Sequence, residues 1–430
     1  MVSGTRQHRT APDGFQLRCS AQTVQAALRD LRPILGYSGA MQTGLERLLG
    51  DPRHYLGGAR VGLVANPTTV DRNLRHAVDL LHASSAVDLQ RLFGPEHGIR
   101  GEAQYMVGVG DGHDPATGIA EVSLYGETFD SLSPQPDQLV DLDVLLFDIQ
   151  DVGARYYTYA ATMALCMRAA GRAGVKVIVL DRPNPIGGSQ VEGGGLDQGL
   201  ENFCGLYPVP QRHAMTVGEL ARLYRNAFSI DCELEVVACQ GWKRADYFEA
   251  TGLPWVMPSP NMPTVDTAVV YPGMCLLEGT NISEARGTTR PFELFGAPWI
   301  NGGKLAARLA SMNLPGLALR PCVFVPTFDK WAGKRCGGLQ LHVTDRQHFN
   351  SYRTGLAVVA AVHELWPESF AWRAEPYEFR DDVPAIDLLT GKPSVREAID
   401  RFAHFEDVMA AALDGLQVYD GAREAALLYR

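Results

Sequence analysis

The eight cysteines include no C-x-x-C pair, and most sit in apolar surroundings such as "MALCMRAAG". That spacing disfavours a zinc site or a disulfide framework and reads as buried thiols, with a leaning toward a reducing compartment. No run of about 18 apolar residues is present, so a membrane-spanning helix is not expected. The opening "MVSGTRQHRTAPDGFQLRCSAQ" has no apolar leader core. A cytoplasmic protein is therefore expected as the chain is written, and a periplasmic or secreted one if a leader has been removed. No extended block of Lys or Arg accompanies the formal charge of −10, from 39 basic and 49 acidic residues. Nucleic acid and anionic membrane surfaces are thereby excluded as expected partners.

Several standard signatures are also missing. The chain has no G-x-x-x-x-G-K-[ST], no G-x-G-x-x-G after its first strand and no G-x-S-x-G, while "HELWP" at His363 lacks the second histidine of a zincin helix. A phosphate cradle, a nicotinamide-dependent oxidoreductase, a serine nucleophile elbow and a catalytic zinc are disfavoured. No cofactor and no metal are expected. "GDGHD", residues 110–114, lacks the spacing of a calcium loop and reads as a solvated turn.

With 430 residues, 46% of them hydrophobic, the chain can bury more than one ordinary core. Short apolar runs end in turn-rich segments: "ARVGLVANPTT", "VDLQRLFGPEHG", "VDLDVLLFDIQDVG" and "GVKVIVLDRPNPIGG". Continuous runs of this kind suit strands buried on both faces. Helical patterns lie between and after them, at 74–83, 156–173 and 216–228. Alternating units of this kind predict an α/β fold with a Rossmann-like, mostly parallel sheet. After Pro298 the composition changes to a helix–strand–strand–helix pattern. The expected organisation is a polar, flexible segment over 1–40, a sheet domain over 41–300, and a smaller α+β domain over 301–430 that contributes to a cleft.

In open α/β sheets ligands bind beyond the carboxyl ends of the strands. Asn66, Glu96, Asp148, Asp151, Asp181 and Asn184 all fall there. In "GPEHGIRGE", glycines flank Glu96, His97 and Arg100, which allows a backbone to approach a ligand closely. A catalytic role for Glu96 is favoured over a plain loop carboxylate, and Glu102 is left as a solvated neighbour. In "DIQDVGARYYTY", Asp148, Arg155 and Tyr157 are candidates to face the site, while Asp151 serves equally well as a helix cap. In "DRPNPIGG", two prolines stiffen the loop that presents Asp181 and Asn184, although simple turn chemistry explains it nearly as well. A second polar concentration, residues 271–299, carries Glu278, Asn281, Glu284, Arg286, Arg290 and Glu293; an internal salt-bridge network is the competing account.

Together "FGPEHGIRG", "DIQDVGARYYTY", "DRPNPIGG", "PSPNMPT" and the glycine–threonine segments around Asn281 and Arg286 resemble the exo-acting β-N-acetylmuramidases, glycoside hydrolase family 171. Five long motifs recur in one order, from about Leu45 to the C-terminus. The resemblance implies a Rossmann-like domain joined to a smaller one, with the site in the cleft. It also implies release of N-acetylmuramic acid from the non-reducing end of peptidoglycan-derived disaccharides or glycan chains. Carried over by motif, Glu96 is the main catalytic carboxylate and Glu278 the candidate for the second. His97, Arg100, Asp148, Arg155, Tyr157, Asp181, Asn184, Asn261, Asn281 and Arg286 are the expected substrate contacts. Ala285 stands where the family has a glycine.

Glycoside cleavage needs a proton for the leaving oxygen and stabilisation of an oxocarbenium-like centre. Glu96 is the expected proton donor. The lactyl carboxylate of muramic acid suits an arginine fork, with Arg100, Arg155 and Arg286 as candidates. Retention, inversion and attack by the sugar's own acetamido group all remain open. The rival reading is a non-catalytic sugar- or muropeptide-binding protein on the same fold.

Overall fold

The computed structural model describes residues 41–101 and 112–430; the segment 1–40, Glu102 and residues 110–111 of the "GDGHD" turn lie outside the described residues. Among the described residues ten strands build two sheets. The first contains β1 (Arg60–Ala65), β2 (Asp88–Gly94), β3 (Gly112–His113), β4 (Ala120–Ser123), β5 (Val144–Asp148), β6 (Lys176–Leu180) and β7 (Leu234–Val237). Their spatial order is β3-β4-β2-β1-β5-β6-β7, and every pairing is parallel except β3 with β4. The chain thus builds outward from β1 to one side, returns, and builds outward from β5 to the other. This is the doubly wound order that leaves a crevice at the strands' carboxyl ends. β5 is buried along its whole length and β1 after its first residue, as their unbroken apolar sequences require.

The helices start where their caps are. α1 (Gly44–Gly50) and α2 (Ala77–His82) flank β1. The periodic pattern beginning at residue 74 becomes helical only after His76, whose ring accepts the Val78 amide, because Leu74 adopts a left-handed φ of 61° in the preceding turn. α3 (Tyr159–Ala173) begins three residues later than its apolar pattern, since residues 154–157 form a turn closed by Tyr157 N–H on the Ala154 carbonyl. α4 (Val217–Ala227) opens with a reciprocal cap between Thr216 and Glu219.

Beyond α5 (Val265–Met274), a tight turn over Cys275–Gly279 leads to the second sheet, of order β8-β10-β9. It is antiparallel and consists of β8 (Leu294–Ala297), β9 (Leu317–Phe324) and β10 (Cys336–Val343), with α6 (Gly302–Ala310) between the first two. α7 (Ser351–Leu365) follows and crosses α5 at Gly273 and Gly355. A Cβ on Gly355 would stand 2.0 Å from the Gly273 carbonyl oxygen, so only glycine permits that crossing. Among the described residues no helix is long and apolar enough to cross a membrane.

Candidate active site

A cleft opens beyond the carboxyl end of β2, beside the start of α3. Glu96 and His97 enter it from the β2 loop, and Tyr157, Thr158 and Tyr159 from the lead-in to α3. Ser259 and Asn261 come from the proline-rich loop "PSPNMPT", residues 258–264, Tyr271 from α5, Glu278 from the following turn, and Arg286, Tyr377 and Glu378 from farther along the chain. The β2 loop turns sharply because His97 and Gly98 are both left-handed, with φ of 75° and 76°, and Gly98 N–H closes on the Pro95 carbonyl. Gly98 and Gly101, the latter at φ 80°, serve this backbone path. Clearance for a ligand is not required to explain them.

Glu96 is 12% exposed at its side chain, and Thr158 Oγ1 donates to its Oε2 at 3.2 Å. His97 Nε2 stands 3.9 Å from the other carboxyl oxygen. Tyr159 donates to the Pro258 carbonyl at 2.6 Å and so ties α3 to the proline-rich loop. Tyr157 packs edge-on against Tyr159 and Tyr271, giving the cleft an aromatic wall. Burial holds the Tyr157 hydroxyl far above its ordinary titration range, so it enters any chemistry as a neutral O–H.

Glu278 is committed on both oxygens. Arg286 Nη2 donates to Oε1 at 2.6 Å and the Tyr377 hydroxyl to Oε2 at 2.8 Å. Arg286 also stands 3.3 Å from Glu284, which Lys330 neutralises from the other side at 3.0 Å. The segment 271–299 therefore contains the salt-bridge network expected of it and still delivers Glu278 and Arg286 to the cleft. Ala285 adopts φ 61°, where its Cβ costs about 1–2 kcal/mol relative to glycine. The resemblance expects a glycine there for this reason.

Of the twelve residues expected to be catalytic or to contact substrate, Glu96, His97, Tyr157, Asn261, Glu278 and Arg286 line one cleft. The other six do not, and each has a structural partner that accounts for it. Asp148 is fully buried against Arg182, whose Nη2 donates at 2.9 Å. Arg155 spends its guanidinium on the carbonyls of Val209, at 3.1 Å, and Leu389, at 2.6 Å. Asp181 accepts from Thr216, Gly218 N–H and Tyr429, and burial pushes its carboxyl up to about 7 against those bonds. Asn184 spans its own loop, donating to the Met215 carbonyl and accepting from Ile186 N–H. Asn281 exchanges hydrogen bonds with Ser369 and Ala371.

Arg100 pairs with Asp79 at 2.8 Å and with buried Asp114 at 2.9 Å, away from the cleft. Burial works against ionised Asp114, yet the bonds from Arg100 and Thr117 hold its carboxyl down to about 2. A lowered folded-state pKa contributes stability above the unfolded value of about 4, and that contribution drains away as pH falls toward 2. Arg100→Gln should leave KM for a muramyl substrate unchanged and cost about 1 kcal/mol, since Arg100 is a quarter exposed. Steady-state kinetics beside urea unfolding at pH about 7 and about 3 read both effects, the stability loss shrinking at the lower pH.

Thr158, Tyr159, Ser259, Tyr271, Tyr377 and Glu378 join the lining without having been singled out individually. Thr158 and Tyr159 lie inside "DIQDVGARYYTY". "PYEF", Pro376 to Phe379, carried no motif signal.

Two family models cover the chain: "Exo-beta-N-acetylmuramidase NamZ, N-terminal" over residues 61–266 and "Exo-beta-N-acetylmuramidase NamZ, C-terminal" over 269–429. The peptidoglycan β-N-acetylmuramidase NamZ of Bacillus subtilis (strain 168) is 46% identical over 407 residues, 95% of this chain and 96% of that protein. Two crystal structures of DUF1343 family proteins from Bacteroides fragilis share the fold. One superposes with a TM-score of 0.84 at 33% identity, covering 92% of this chain and 100% of its own. The other gives 0.71 at 27% identity, with 91% and 99% covered.

Proposed function

The chain belongs to the exo-β-N-acetylmuramidase NamZ family, and on that premise we propose that it removes N-acetylmuramic acid from the non-reducing end of peptidoglycan fragments, with Glu96 as the main catalytic carboxyl. The observation that carries the assignment is the meeting of Glu96 with Glu278 and Arg286 in one tyrosine-walled cleft, although they are distant in sequence. Glu96 delivers its proton to the glycosidic oxygen as the bond to C1 breaks, and the Thr158 hydroxyl fixes the carboxyl's orientation. Positive charge grows on C1 and its ring oxygen as the leaving sugar departs, and water finally adds to C1 and gives up a proton to complete the hydrolysis. Glu278, steered by Arg286 and Tyr377, supplies fixed negative charge at the cleft wall and costs no reorganisation during the reaction. Tyr157 and Tyr271 present apolar surface to the sugar ring.

Incubation with the disaccharide bearing N-acetylmuramic acid at its non-reducing end should give the two free monosaccharides by chromatography. The disaccharide of reversed order should stay intact. Equal cleavage of both would sink the exo-muramidase reading. Heat on calorimetric titration with no product would favour the binding protein.

A further inference from the structure

Glu378 brings a third carboxyl to the cleft, on an unusual backbone. Tyr377 and Arg380 close a two-residue turn with reciprocal amide–carbonyl bonds of 2.8 and 3.0 Å, and its central residues, Glu378 and Phe379, have φ of 47° and 65°. Turns with both central φ positive ordinarily take Asn-Gly, because a Cβ is strained there. The neighbours hold the strain in place. Phe379 packs edge-on against Tyr125, Phe129 and Phe203, Tyr377 donates to Glu278, and Arg380 donates to the Gly199 and Glu201 carbonyls. Strain over-determined from both sides and opening on a cleft marks a side chain placed for use.

The charges around the cleft say what that use is. Glu96, Glu278 and Glu378 all line it, whereas Arg286 is the one arginine of the lining among the described residues and already serves Glu278 and Glu284. Arg373 lies over the Tyr377 ring and donates to the Pro376 carbonyl. An anionic sugar entering here therefore meets more carboxyls than free cations, and the arginine fork expected for the lactyl group is already spent. Neutral donors must receive it. The buried Tyr157 hydroxyl is one, because it lines the cleft with the neutral Ser259 side chain as its hydrogen-bonding neighbour.

We propose that Glu378 is a specificity residue that touches the substrate as a neutral carboxyl, donating its O–H to the lactyl carboxylate of N-acetylmuramic acid beside the Tyr157 hydroxyl. Partial burial, with the neighbouring carboxyls of Glu96 and Glu278, pushes Glu378 up to about 8 against the pull of Arg286 and Arg373. His97, Cys204, Tyr377, Tyr156, Tyr157, Tyr159 and Tyr271 are the other titratable groups of the lining, the thiol and the phenols held neutral by burial. At neutral pH the donor is thus present, and it is lost as pH rises through about 8. The apparent affinity scales with the competent fraction, so KM for a muramyl substrate should rise about tenfold between pH about 7 and about 9.

The proposal rests on the muramidase reading, and the experiment separates the two. Steady-state kinetics across this range would use the para-nitrophenyl β-glycosides of N-acetylmuramic acid and N-acetylglucosamine, with wild type, Glu378→Gln and Glu378→Ala of matched melting temperature. Wild type should show the alkaline rise in KM for the muramide alone. Glu378→Gln, whose amide still donates and cannot ionise, should hold KM flat. Glu378→Ala should lose about tenfold of the muramide preference at pH about 7, chiefly in KM, and should differ little from wild type at pH about 9. An alkaline rise that persists in Glu378→Gln, or an unchanged preference in Glu378→Ala at pH about 7, overturns the proposal. If wild type hydrolyses no muramide the enzyme reading fails, and calorimetry with the two free sugars then decides. Loss of discrimination in Glu378→Ala supports the role of Glu378, and its persistence refutes it.

Discussion

Glu96→Gln should lower kcat/KM toward a muramyl disaccharide by about 10²- to 10⁴-fold, the contribution typical of a positioned proton donor. The melting temperature should barely move. The substitution keeps the side chain's shape, and Thr158 Oγ1 can donate to the amide oxygen as it does to the carboxyl. No arginine or lysine pairs with Glu96 among the described salt bridges, so its neutralisation strands no buried cation. A para-nitrophenyl leaving group needs little help from a proton, so the loss on such a glycoside should be smaller than on the natural sugar. Kinetics on both substrates, with circular dichroism melts, check the split. Activity within a few-fold of wild type on the disaccharide would remove Glu96 from the role.

Where burial is the dominant constraint, the sequence is readable. β1 and β5 lie in the middle of the parallel sheet and show as unbroken apolar runs. β4 and β7, four residues each and only partly buried, leave no comparable trace. The same contrast holds in the site. Glu96 could be picked out because a proline and glycines crowd around it at a strand end. Asp148 and Asp181 occupy equivalent strand ends, yet each is turned inward by a partner that lies elsewhere in the chain, Arg182 for one and Thr216 and Tyr429 for the other. A carboxylate at a strand end serves a ligand or pins a loop equally well, and only tertiary pairing decides which. Glu378 leaves no such trace, since its position depends on a turn that neither Glu nor Phe favours and on packing by Tyr125, Phe129 and Phe203.

The inward turn of Asp148 gives the second large expected effect, in stability rather than catalysis. Asp148→Ala should cost about 3–5 kcal/mol, because it leaves the Arg182 guanidinium, 5% exposed, buried without its counter-charge. Val70, whose carbonyl accepts from Arg182 at 3.1 Å, supplies a dipole and no full charge. Replacing both partners, Asp148→Leu with Arg182→Met, should recover part of that loss, since an apolar pair needs no desolvated charge. The surviving folded enzyme should keep its kcat/KM in either case, because Asp148 does not line the cleft. Urea unfolding of the single and double variants measures the first two statements, and kinetics normalised to folded protein the third. If Asp148→Ala were stable and yet inactive, Asp148 would return to the site as a ligand-facing carboxylate, and its bond to Arg182 would have to open during the reaction. The pairing is bidentate, with Arg182 Nε and Nη2 meeting the two oxygens of one carboxylate, an arrangement that resists such opening. Asp148 therefore acts by holding together the strand ends from which the cleft loops depart.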